Sequence, residues 1–117
     1  MPAPDIKTAI PKRRFKLGDF TLVFLGEIET TDAESYQYIL AMVKDGEQAP
    51  SVFVVAEQAR GEDKKQGSHR MRVLGPNTDQ LIGVSDRWSN LDNFIEDSIA
   101  GAKQMFGLSD EEAFPIS

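Results

Sequence analysis

The chain has 117 residues, 40% hydrophobic and 27% charged, with a formal net charge of −6 and no cysteine. That length supports one domain with its own core. The missing thiols exclude disulfides, thiolate nucleophiles, cysteine zinc ribbons and iron–sulfur clusters, and net acidity opposes duplex nucleic acid, whose phosphates it repels.

The charge is unevenly placed. Residues 1–73 carry eleven basic and eleven acidic side chains, whereas 74–117 carry two and eight, so the whole deficit belongs to the C-terminal part. No apolar run approaches the roughly 18 residues of a membrane span, and the N-terminus lacks the apolar stretch of a secretory signal. A cytoplasmic protein without a membrane partner is the expectation.

In chain order, residues 1–14 hold three prolines and a basic cluster that runs on to Lys16, with little apolar content. They read as a flexible N-terminal arm, with one α+β domain over 15–117. "DFTLVFLGEI" reads as a strand from Asp19 to Ile28, with Phe20, Leu22, Phe24 and Ile28 on one face and Val23 and Leu25 on the other. Tyr36–Lys44 is a second strand, with Tyr36, Tyr38, Leu40 and Met42 opposed to Ile39, Ala41 and Val43. "SVFVVAEQ" is a β-branched run typical of a strand buried on both faces. "ARGEDKKQGS" is charged, has no apolar anchor and reads as a mobile loop. "HRMRVL" alternates His69, Met71 and Val73 against Arg70, Arg72 and Leu74, and "LIGVS" closes the series. Five strands with short connections predict an antiparallel meander.

Trp88 to Phe106 then shows the clearest periodicity in the chain. Trp88, Leu91, Phe94, Ile95, Ser98, Ile99, Ala102, Met105 and Phe106 fall on one face of a helical wheel. Asp86 or Ser89 is the candidate N-cap, Gly107 the left-handed terminus, and Leu108 the residue folding back. The stripe predicts a long helix packed on one sheet face and closing the core. In "LSDEEAF", Ser109 and Glu112 have capping-box spacing, which predicts a short terminal turn with Phe114 and Ile116 packed down. The order of a curved antiparallel sheet and one C-terminal helix resembles, in outline, the coactivator-type single-stranded-DNA-binding fold. The resemblance covers element order, has no motif, and implies architecture alone.

One helix covers one sheet face, which leaves Val23, Leu25, Ile39, Ala41 and Val43 as an apolar second face. A second copy, curling of the sheet or a ligand would have to cover it. A homodimer through these five residues is the expectation. Chemistry is sparse: His69 is the only histidine, and no H-E-x-x-H, G-x-S-x-G or P-loop pattern occurs. His69 with Glu57 as its orienter is the one candidate general base. Arg70 and Arg72 share a strand face and, with Tyr36 or Tyr38 stacking a base and His69 alongside, form a candidate single-strand or anionic-ligand site. The carboxylates Glu27, Glu29, Asp32 and Glu34 lack the glycine and carbonyl pattern of a calcium loop and read as a solvated rim. No cofactor or metal is expected. The reading is a non-catalytic interaction or accessory module whose expected partner is a second copy of itself or an unknown protein. Ligand binding on the Arg70/Arg72 face is the alternative, and an enzyme using His69 a more remote one.

Overall fold

The computed structural model describes residues 6–30 and 36–116. Seven strands form one antiparallel sheet: β1 Ile6–Leu17, β2 Phe20–Thr30, β3 Tyr36–Lys44, β4 Val52–Gln58, β5 His69–Gly75, β6 Thr78–Ser85 and β7 Ala113–Pro115. The spatial order is β6-β5-β4-β3-β2-β1-β7, a meander whose C-terminal strand returns to the free edge of β1. Among the described residues a single α-helix, α1 (Leu91–Met105), packs on one face. The α+β class, antiparallel sheet and lone helix agree with the sequence, but the strand count is seven rather than five.

The two extra strands have identifiable causes. Residues 6–14, expected in an arm, pair with β2 through a tight turn at Gly18–Asp19, where Gly18 takes φ +54°. A glycine of positive φ is the ordinary start of a two-residue hairpin turn. The strand was illegible because most of its side chains are polar or exposed and its apolar residues do not alternate cleanly. Residues 1–5 of the expected arm lie outside the described residues. At the other end, the expected turn forms at Ser109–Asp110, closed by the Glu111 N–H donating to the Leu108 carbonyl at 2.9 Å, and "AFP" follows it as β7. Lys16 pairs with Phe114 and Leu17 with Ala113. Ala113 therefore packs on the core, while Phe114 remains 55% exposed and Ile116 is exposed too.

The core lies between α1 and the sheet. Leu17, Leu22, Phe24, Leu40, Met42, Val54, Met71, Val73 and Phe94 are fully buried in it. Phe94 sits edge-on to Phe24, centroids 6.0 Å apart, and stacks on Tyr38 at 5.7 Å. Phe15 extends the run, meeting Phe24 edge-on at 5.7 Å. Such contacts add about 0.5–1.5 kcal/mol each beyond area burial. The helix starts at Asn90, not at Asp86 or Ser89: the Asn90 side chain accepts the Asn93 N–H at 3.1 Å. Residues 87–89 form a separate 3₁₀ turn that seats Trp88 in the core. The helix ends as expected. Gly107 takes φ +67° and the Leu108 N–H donates to the Lys103 carbonyl at 2.8 Å, a Schellman closure that turns Leu108 onto the core. Phe106 departs from the stripe and is exposed.

The second face closes largely on itself. Between the pairs Thr8↔Glu29 and Ile10↔Gly26, β2 spends one more residue than β1. The bulge is at Glu27, whose φ of +48° is left-handed. It reverses the alternation, so Ile28, expected beside Phe24, packs on the opposite cluster with Leu25. A second irregularity, between Tyr36 and Tyr38, sends Tyr36 to that cluster and leaves Tyr38 on the helix face. Ile39, Val55 and Leu74 form its buried centre, with Ile6, Ile28, Tyr36 and Phe53 packed around them.

Candidate binding surfaces

Strands β4 and β5 place Glu57 opposite Arg70 and Val55 opposite Arg72. Alternation puts Glu57, Arg70 and Arg72 together on the face away from the helix. Glu57 is only 2% exposed. Arg72 Nη1 donates to both Glu57 carboxylate oxygens at 3.1 Å, while its Nε and Nη2 donate to Asp79 at 2.6–3.1 Å. The hydrogen bonds donated to Asp79 are the main reason the guanidinium is held well above its ordinary pKa, with Glu57 adding to them against the cost of burial. Arg70 Nε lies 3.2 Å from Glu57 Oε1 as an ion contact that is not aligned for a hydrogen bond, and its Nη1 lies 3.4 Å from Asp63. Two cations therefore meet three carboxylates, and Arg72 directs its hydrogen bonds inward to Glu57 and Asp79. Reciprocal saturation of this kind specifies a surface more than it attracts a phosphate.

The tyrosines diverge. Tyr38 is stacked on Phe94 beneath the helix, and Tyr36 lies on the other face opposite Glu57. They cannot form one stacking platform. His69 is also separated from its expected orienter. It pairs with Gln58, so its ring lies on the helix face while Glu57 lies on the other. The ring is buried, and His69 Nδ1 shares a 2.8 Å hydrogen bond with the Ser68 hydroxyl. Burial lowers its pKa, with Asp86 opposing more weakly, so the imidazole is neutral near pH 7. The His69–Glu57 dyad is not assembled.

The segment before His69 is tied down rather than loose. Gly61–Lys65 forms a 3₁₀ turn, Asp63 reaches Arg70, and the Ser68 N–H donates to Asp86 at 2.8 Å. Gly67 lies so close to Ser85 that a Cβ there would come within 2.7 Å of the Ser85 backbone. Its lack of apolar residues concealed these polar anchors.

Of the five expected interface residues, Ile39 is fully buried and Ala41 nearly so within the single chain. Val23, Leu25 and Val43 are half-buried. The bulged β1–β2 hairpin contributes Ile6 and Ile28 to this cluster. The exposed large apolar side chains lie elsewhere. Leu81 and Ile82, on edge strand β6, are 44% and 40% exposed. With Gln80 and with Gly101, Gln104 and Met105 of α1 they line a groove of about 300 Å³.

Comparison with protein-family models, curated proteins and solved structures finds no match to this chain. A groove of about 550 Å³ is lined by Lys12, Glu27, Ile28, Glu29, Tyr36, Gln37 and Tyr38, with Lys12 and Glu27 joined as an ion pair. Asp32 and Glu34 of the expected acidic rim lie outside the described residues, among which no group of three metal-capable side chains occurs. A polar junction that the sequence did not reveal links α1 to the 3₁₀ turn. Trp88 Nε1–H and Arg87 Nε–H each donate to Asp97 Oδ2 at 2.8 Å, and Arg87 chiefly lowers the Asp97 pKa. Trp88 is thus a packing residue with its indole N–H satisfied internally. The junction joins residues nine and ten positions apart, a separation without helical or strand periodicity. Among the described residues no helix is long and apolar enough to cross a membrane.

Proposed function

We propose that this chain is a small interaction or accessory module that acts as a homodimer and without catalysis. One observation carries the reading: Leu81 and Ile82 stand exposed on an open edge strand beside an uncharged groove, whereas the arginine face is filled by its own carboxylates. An unguarded apolar edge is a template for another chain. The alternative, a single-strand or anionic-ligand site at Arg70 and Arg72, has weaker support. Arg72 donates inward to Glu57 and Asp79, Arg70 lies in ion contact with Glu57 and Asp63, and the two tyrosines face apart. For a catalytic role of His69, the expected orienter Glu57 lies on the opposite sheet face. Sedimentation at micromolar concentration tests the reading, and twice the 13.0 kDa chain mass is the expected result. A stable single-chain mass overturns it. A salt-dependent shift of a labelled oligonucleotide, lost in Arg72→Ala but retained in Glu96→Lys, would transfer the function to the alternative.

A further inference from the structure

The two sheet edges are protected unequally. The open part of β1 exposes one large apolar side chain, Ile10, but flanks it with Pro11, Lys7, Lys12, Arg13 and Arg14, and its register shifts three times. Cations, proline and irregular pairing are the ordinary defences of an edge. A short further strand, β7, covers the rest of β1 from Phe15 to Leu17. Strand β6 has no proline and no lysine, and its single charge, Asp79, is held by Arg72. Its one defence is a bulge at Ile82, where β6 spends an extra residue between the pairs Arg72↔Leu81 and Met71↔Gly83. The helix comes close there: a Cβ on Gly101 would lie 3.3 Å from the Ile82 δ-methyl. The groove over that contact is lined by six residues, none of them charged.

The geometry points to β6 as the homodimer interface, paired antiparallel with β6 of a second copy about a two-fold axis at Leu81–Ile82. This rests on the homodimer reading above and fixes its surface. Charge chooses the occupant. In any register centred on Leu81, on Ile82 or on the bond between them, Asp79 faces the partner's Gly83, Val84 or Ser85, and no like charges meet. Head-to-tail pairing with β1 of another copy would instead bring four cations and Pro11 against a groove without a carboxylate. The two-fold arrangement extends the sheet across both copies, brings the two apolar pairs together, and closes without leaving a β6 edge for further addition.

The absence of cysteine makes the test direct, because an introduced thiol is the only one in the chain. Leu81→Cys and Ile82→Cys are treated separately, and mixed, with a short bismaleimide linker at micromolar concentration. Val43→Cys, on the other face, is the control. Covalent dimer from the 81 and 82 variants, and none from 43, is the expected result. A dimer by sedimentation that links only at 43, at both faces, or at neither overturns the β6 interface and leaves the homodimer reading intact. Monomeric wild type overturns both. In a second arm, Leu81→Lys restores the missing edge charge. It should raise the dimer dissociation constant at least about a hundredfold with unchanged far-UV circular dichroism, and an unchanged constant overturns the assignment.

Discussion

Replacing Glu57 by alanine removes the anion shared by Arg70 and Arg72. The carboxylate is almost fully buried and holds Arg72 through two 3.1 Å bonds. Arg72 keeps Asp79 and Arg70 keeps Asp63, so neither cation is stranded. Their guanidiniums would nonetheless face each other with nothing between. Losing one partner of a buried ion pair costs about 3–5 kcal/mol. Both arginines retain some solvent contact, so the lower end, about 3 kcal/mol, is expected. Unfolding entropy near 2.1 cal/mol/K per residue gives roughly 0.25 kcal/mol/K for this chain, and hence a fall in Tm of about 12 °C. Glu57→Gln preserves shape and one acceptor and should fall about half as far. Calorimetric melts of wild type and both variants, repeated near 0.5 M salt, provide the assay. Salt screens exposed pairs strongly and buried ones weakly, so the difference should persist. A Glu57→Ala melt within about 3 °C of wild type, or a difference abolished by salt, would refute the buried network.

Phe94→Ala should cost about 3–5 kcal/mol, because it opens a cavity between Phe24 and Tyr38; a urea-derived loss under about 1 kcal/mol would show that Phe94 does not anchor the core. Gly67→Ala should cost about 1–3 kcal/mol, since its Cβ meets the Ser85 backbone at 2.7 Å, and wild-type stability would mean that the segment before His69 is not seated on β6. For His69, burial holds the native pKa below 6.5. As pH falls the unfolded chain takes up the proton first, so this contribution is complete above 6.5, declines below it, and is exhausted once the native pKa is passed. Melts at about pH 7.5 and pH 5 should therefore differ less in His69→Gln than in wild type, and an identical difference would place the ring in solvent.

Local rules sufficed where a segment's own chemistry agreed with its final environment. The apolar alternation of β2 and β5, the β-branched run of β4 and the helical stripe around Phe94 each bury what their periodicity says they should. Gly107 ends the helix for a local reason as well, since the left-handed position there costs glycine least. Tertiary structure alone decided the rest. Strand β1 carries little apolar signal of its own and is ordered by the ladder it shares with β2. One extra residue at Glu27 reversed the facing of Ile28, and an irregularity beyond Tyr38 sent Tyr36 to the opposite face, because the side-chain period of a strand is two and any register shift inverts it. The same pairing set Glu57 against two arginines rather than beside His69, and left Leu81 and Ile82 exposed on β6 while Ile39 and Ala41 of the second face are buried. Composition and periodicity specify which side chains prefer burial; which strand becomes an edge depends on contacts between residues far apart in the chain.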